Sequence, residues 1–161
     1  MAAVSKFIRM VRKLEPGTSF DPVLRAAERA ERQYFFKASA FIRTVARRSF
    51  GRPSKKRPRP ASAPGKPPRS QTGQLKRSIL FAVEKTKAVI GAAGSGFGKS
   101  KTAPRALELG GRSIYFAGGR KRTAQYDKRP FMSPALRVAE PKLPSMWANA
   151  VNRSSRSKSK G

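Results

Sequence analysis

The chain contains no cysteine and no histidine among its 161 residues. Disulfides, thiolate and imidazole metal sites, cysteine nucleophiles and catalytic triads built on imidazole are therefore excluded. Acidic residues are also scarce, with 8 Asp and Glu against 37 Lys and Arg, so the formal net charge is +29. An excess of this size favours an anionic partner, with nucleic acid as the first candidate and an acidic protein as the second. An enzyme is the least favoured class.

Long apolar runs are missing as well, since no segment approaches the roughly 18 apolar residues needed to cross a bilayer. Residues 1–17 place apolar side chains at three- and four-residue steps with basic residues between them, which predicts a short amphipathic helix. We expect this segment to pack on the rest of the domain, and a helix on a membrane surface is the alternative. It lacks the apolar core of a secretory signal.

The clearest helical pattern lies within residues 18–51, from Pro22 to about Ser49. Asp21 suits the N-cap, and Pro22 suits the first helical position. Gly51 follows the last turn, where a left-handed residue commonly ends a helix. An apolar stripe over this segment indicates a helix for packing, and it is formed by Leu24, Ala27, Tyr34, Ala38, Phe41, Ile42 and Val45.

Residues 52–70 form a basic, proline-rich segment with six Pro and no aliphatic residue larger than Ala. Such a segment has no core of its own and favours extended geometry. We interpret it as an arm for DNA or for an acidic neighbouring subunit, with the subunit favoured, and a solvated linker is the alternative. The candidate contact residues are Arg52, Lys55, Lys56, Arg57, Arg59, Lys66 and Arg69.

Residues 71–152 predict a small sheet followed by a helical segment. Apolar segments from Leu75 to Val83 and from Ala88 to Ala93 flank a turn at 84–87, which indicates a hairpin, and residues 113–117 form a further strand. The last helical segment opens at Ser133, is interrupted at Pro141 and ends before a basic tail at 153–161. The predicted fold is α+β, with the long N-terminal helix packed on a small antiparallel β-sheet and a short C-terminal helical segment.

Residues 93–100 fit a permissive phosphate-loop pattern in which Lys99 and Ser100 would contact phosphate and magnesium. Pro104 follows closely, where the pattern requires a helix, and Asp127 does not follow an apolar strand. The residues before Asp127 are therefore not expected to form the apolar strand that the pattern requires. We interpret residues 93–100 as a basic loop and expect no nucleotide, metal or other cofactor.

Four short motifs occur in order at 72–79, 89–91, 107–111 and 128–136, over roughly residues 22–151. Together they resemble the tail-completion, or head–tail joining, family of the tailed-bacteriophage neck. Two features depart from that family, namely the prolines that interrupt the last helix and the length of the basic arm. The motif residues are Thr72, Gly73, Leu75, Ser78, Ile79, Glu108, Gly110, Arg129, Pro130, Phe131 and Pro134.

Several motif residues also have physical roles that do not depend on the family. Gly73 would turn the chain from the arm into the first strand, and Ser133 would cap the last helix, with Pro134 in its first turn. Phe131 would pack just before that helix. Glu108 would hold a cation such as Arg129, or it is a surface acid.

The resemblance implies a non-enzymatic structural virion protein, made in the host cytoplasm, that forms a ring around the DNA exit path. Six copies are expected on the tail side. The implied neighbours are portal, adaptor or stopper proteins and tail-tube or tail-terminator proteins, with non-specific contact to packaged DNA and no membrane. The alternative from composition is a ribosomal or other RNA-associated basic protein. No helix-turn-helix, zinc or basic-zipper pattern supports an architectural DNA-binding protein.

Overall fold

The computed structural model describes residues 21–50, 60–70, 72–97 and 102–156. The predicted N-terminal helix at 1–17 lies outside this range. The described residues divide into two compact units. The first unit comprises 21–38, 83–88 and 142–156, and the second comprises 39–82 and 89–141, within the described ranges. No helix in the described part of the chain is long and apolar enough to cross a membrane.

The long helix is confirmed as α1, Asp21–Ser49. Asp21 is its first residue and forms an exposed ion pair with Arg25, with 3.6 Å between the charged atoms. Basic residues in the last turn, Arg47 and Arg48, interact favourably with the helix dipole. The buried stripe recurs at four-residue steps, as expected for one face of a helix, through Ala30, Tyr34, Ala38, Ile42, Ala46 and Phe50.

In the first unit, α1 packs against α5, Leu143–Arg156. The rings of Tyr34 and Trp147 meet edge to face with their centroids 5.4 Å apart. Ala30, Ala38 and Ala150 are buried beside them. Because α5 continues to Arg156, residues 153–156 of the predicted basic tail are helical.

The first hairpin begins later than predicted. Residues 74–78 form a short helix, α2 (Gln74–Ser78), and the strands that follow are β1 (Ile79–Val83) and β2 (Ala88–Ala92). The predicted strand at 75–78 is therefore wrong, although the hairpin is confirmed. Gly73 has φ 76°, and its carbonyl accepts a hydrogen bond from the Arg77 amide at 2.9 Å, which winds the chain into a helical turn before the strand.

A second hairpin follows α3, Ala103–Leu109. Its strands β3 (Gly111–Ala117) and β4 (Arg120–Tyr126) pair antiparallel, so the molecule has two two-stranded sheets where one sheet was predicted. The sequence indicated no strand at 120–126, because its residues are mostly polar. The turn residues Gly118 and Gly119 have φ values of 57° and 76°, which is the conformation that a two-residue hairpin turn requires.

The end of the second unit is α4, Met132–Ala139, followed by a 3-10 turn at Glu140–Lys142 that contains Pro141. The predicted interruption at Pro141 is confirmed, and so is the α+β fold class. One core lies between the second half of α1, the first hairpin and α4, and it contains Ile42, Ala46, Phe50, Ile79, Phe131, Ala135 and Ala139.

Replacing Phe131 by Ala tests this core. The Phe131 side chain is 1% exposed, and its ring lies 5.2 Å from that of Phe50, so its loss leaves a cavity. We expect the free energy of unfolding to fall by about 3–5 kcal/mol. Leu136→Ala on α4, the helix that directly follows Phe131, is the control: its side chain is 50% exposed, and the change is expected to be about 0.5 kcal/mol or less. Chemical denaturation measures both, and equal effects would contradict the assigned core.

Candidate functional site

All four motifs contribute apolar side chains to the core of the second unit. The first contributes Leu75 and Ile79, the second Ile90, and the third Leu107. The fourth contributes Phe131, Met132 and Ala135. Motifs that are separated along the chain therefore pack together in one core. The sequence indicated their order along the chain but not their contacts.

The carboxylate of Glu108 connects the third motif to the fourth. Its Oε2 accepts hydrogen bonds from the amides of Phe131 at 2.8 Å and Met132 at 3.0 Å. Its Oε1 accepts bonds from the amide and hydroxyl of Ser133, at 2.9 and 2.7 Å. The free amides at the start of α4 are thus satisfied by a side chain from another helix.

This geometry corrects two expectations. Ser133 is not the cap of the last helix, because it lies inside α4 and its hydroxyl donates to Glu108. Pro134 does lie in the first turn, as predicted. Glu108 does not hold Arg129, whose guanidinium bonds to other residues. A helix N-terminus and a cation both attract a carboxylate. The sequence alone did not indicate which of the two Glu108 would contact.

Two opposing effects set the pKa of Glu108. Burial raises it, and the hydrogen bonds from Met132, Phe131 and Ser133 together lower it by more. The resulting pKa lies below the ordinary value of 4.5, so the carboxylate is ionised at neutral pH. Its role is to hold charge against fixed donors, and it is not poised to transfer a proton.

The turn after α3 lies against the chain that enters the fourth motif. Gly110 has φ 79°, and a Cβ at this position would lie 3.4 Å from the Lys128 amide nitrogen. The Arg129 amide donates to the Leu107 carbonyl at 2.7 Å. The positive φ of Gly110 therefore favours glycine at this position of the third motif, while the Lys128 backbone lies at an ordinary van der Waals distance from it.

Arg129 attaches part of the basic arm to the second unit. Its Nε donates to the Ser62 carbonyl at 2.8 Å, and its Nη2 lies 3.1 Å from Asp127 Oδ2. The Gly65 amide also donates to the Lys128 carbonyl at 2.8 Å. Residues 60–70 are thus hydrogen-bonded to another segment of their own chain.

Only part of the candidate contact set can be placed. Lys66 and Arg69 have exposed side chains. The other predicted contact residues lie outside the described residues, and they are Arg52, Lys55, Lys56, Arg57 and Arg59. Lys99 and Ser100 of the phosphate-loop pattern also lie outside them. Helix α3 follows that loop, with Pro104 in its first turn. The expectation that Pro104 leaves no helix after the loop was therefore wrong.

Sequence reasoning missed two arginines that hold the first motif. Arg43 Nε and Arg47 Nη2 both donate to the Ile79 carbonyl, at 3.0 and 3.1 Å. Arg47 also donates to the carbonyl of Arg77 at 3.1 Å. The available signal was a pair of cations four residues apart beside the apolar stripe of α1, a spacing that places them on one face.

A pocket of about 280 Å³ lies beside the first motif. Its apolar wall includes Phe50, Leu75 and Tyr126, and Thr72, Gly73 and Arg129 also line it. The hydroxyls of Ser62 and Ser70 are buried in this wall without a hydrogen-bond partner. The pocket is slightly smaller than most ligand sites. Within the described residues, no group of three or more acidic side chains is placed to bind a metal ion.

The Glu108 cap predicts a specific loss of stability. Glu108→Gln keeps the size of the side chain but removes the charge and replaces one acceptor oxygen by a donor. We expect the free energy of unfolding to fall by about 2 kcal/mol, because several amides lose a charged acceptor. Glu140→Gln, at an exposed acid on the 3-10 turn, is the matched control and should be nearly neutral. Similar losses in both variants would contradict the cap.

The same cap predicts a pH dependence. Because the folded-state pKa of Glu108 lies below 4.5, its stabilising contribution is complete above that value and is lost as the pH falls through the folded pKa. The stability difference between the wild type and Glu108→Gln should therefore shrink on acidification below pH 4.5. Thermal or urea unfolding at a series of pH values measures it, and a constant difference would be inconsistent with an ionised cap.

No protein-family model, curated protein or solved structure matches this chain. The likeness to the neck family therefore comes only from the four motifs and their order. The fold adds that these motifs pack together and that Glu108 joins two of them by hydrogen bonds.

Proposed function

We propose that the chain is a structural subunit of a tailed-bacteriophage neck, which joins the portal side of the head to the tail around the DNA exit path. The observation that carries the proposal is the bonding of Glu108 to the start of α4, because it joins the third motif to the fourth inside a core to which all four contribute. Residues that resemble one family thus act together in one structure. The proposed location is the virion.

A ring subunit needs apolar surface that its neighbours can bury. On the first hairpin, Leu80 and Val89 are 49% and 59% exposed, while Ile79 is fully buried in the core. The alternation along β1 places Leu80 and Ala82 on its outer face. We assign this outer hairpin face to contact with a second copy, in a closed ring for which six copies is the preferred number.

The proposed role is geometric and not catalytic. The chain has neither His nor Cys, and the described acid with a lowered pKa, Glu108, is bonded to backbone amides. Its ionised carboxylate accepts hydrogen bonds from three successive amides at the start of α4. Portal-side and tail-side neighbours would then meet a fixed surface, as a joint under load requires.

Oligomeric state tests the proposal. We expect native mass spectrometry of the purified chain, alone or docked on a neck partner, to show a closed ring. Leu80→Ser with Val89→Ser should shift the protein to smaller species, because the polar hydroxyls weaken an apolar contact without entering the core. Val23→Ser, at a residue of α1 that is 61% exposed, is the control.

Cryo-electron microscopy of assembled particles supplies the second test. Density for the chain in a ring between portal and tail is the expected result. A strictly monomeric protein in assembled particles would refute the ring, and a chain located among ribosomal proteins would refute the neck assignment altogether.

A further inference from the structure

The second hairpin, β3–β4 with its Gly118–Gly119 turn, is a strongly basic two-stranded ribbon, named here the basic ribbon. It contains Arg112, Arg120, Lys121 and Arg122, and no acidic residue occurs between Glu108 and Asp127. All four cations have exposed side chains. None of them forms an ion pair within the described part of the chain.

Strand register distributes these charges over both faces of the ribbon. Lys121 lies opposite Phe116, and Arg122 lies opposite Tyr115. Since neighbouring residues of a strand point to opposite faces, Lys121 projects on one side and Arg120 and Arg122 on the other. Towards the base of the ribbon, the face that carries Arg120 and Arg122 becomes covered, because Ser113 is buried and its hydroxyl lies 3.0 Å from that of Thr102. The ribbon is thus fixed at its base and charged on both faces near its turn.

Intramolecular packing does not account for the charged end of the ribbon. Like charges this close together repel one another and are retained at a cost to stability unless an anion offsets them. The nearest acid in sequence, Asp127, is bonded to Arg129. The face of the ribbon that carries Lys121 is its outer face. It also leaves Ile114 and Phe116 partly exposed, at 41% and 43%. An anionic partner with a surface that accepts a narrow ribbon fits these features.

We propose that the basic ribbon binds duplex DNA, with its turn in the major groove and its cations on the flanking phosphates. The major groove of B-form DNA admits a two-stranded ribbon, and cations on both faces then meet phosphates on both walls of the groove. The groove of A-form RNA is too deep and narrow for the same entry. Single strands bind through several stacked aromatic rings, whereas the outer face of the ribbon presents one, Phe116.

This inference does not depend on the neck assignment, because it follows from the ribbon alone. Binding would be independent of base sequence, since phosphate contacts carry no sequence information. Each phosphate that is neutralised releases counterions, so the ribbon should contribute a defined part of the salt dependence of binding. Basic segments outside the ribbon are the same in the wild type and in a variant changed only in the ribbon, so the difference between these two isolates the ribbon.

The experiment uses the full chain and a fluorescent DNA duplex, with affinity measured by anisotropy over a salt series. Arg120→Gln, Lys121→Gln and Arg122→Gln are combined in one variant. Loss of three phosphate contacts should reduce the slope of log K against log salt by about 2.7. The control combines Arg29→Gln, Arg137→Gln and Arg153→Gln, which remove the same charge from exposed positions on helices and should leave the slope close to that of the wild type.

A second variant separates charge from fold. Arg120→Lys with Arg122→Lys retains the charge of the ribbon and should keep the wild-type slope. An equal reduction in the ribbon variant and the helix control would overturn the proposal, because it would indicate a general effect of net charge. An unchanged slope in the ribbon variant would overturn it too, and an acidic protein would become the better partner. Equal dependence on the ribbon for duplex RNA or single-stranded DNA would overturn the groove geometry.

Discussion

The hydrogen bonding of the Glu108 carboxylate to the start of α4 is the constraint that fixes how the third and fourth motifs meet in the second unit. A helix begins with free amides that need acceptors, and the sequence around Ser133 and Pro134 offers none in the right place. Glu108 supplies both of its oxygens from α3, across 23 residues of chain at the nearest donor. These bonds require the end of α3 to lie beside residues 128–129. The positive φ of Gly110 and the backbone hydrogen bond from Arg129 to Leu107 hold it there.

Charge is the second constraint on this molecule. The net charge of +29 favours self-repulsion, and the two buried cores are small: one is built from alanine, phenylalanine and isoleucine, and the other from alanine and Tyr34. Some arginines stabilise the fold by donating hydrogen bonds to backbone carbonyls. Arg43 and Arg47 converge on one carbonyl at the start of β1, and burial followed by the neighbouring charge of Arg43 lowers the pKa of Arg47. Among the described residues, the cations of the basic ribbon form no ion pair, which is why they are the ones proposed to contact a partner.

The parts of the structure that the sequence predicted were those with local causes. The apolar stripe of α1 repeats over many turns, and the first hairpin has apolar strands on either side of a polar turn, so both were found. Strand β4 was missed because Arg120, Lys121 and Arg122 are exposed and give no apolar alternation. It is a strand because Gly118 and Gly119 return the chain along β3, and the signal that could have found it was this glycine pair after a strand. The short helix α2 was taken for strand because Leu75 and Ile79 fit either period.

By itself, the sequence determined the composition, the charge, the α+β class and the order of the four motifs, because each depends on residue types or on spacing within one segment. Tertiary structure decided which donors meet which acceptors. Glu108 bonded to amides instead of to Arg129, and Arg129 turned to Ser62 and Asp127, since the two choices differ only in how distant segments approach. The anchoring of residues 60–70 and the separation into two small sheets were decided in the same way. Long-range contacts select among local options that are nearly equal in free energy, and a single sequence does not rank them.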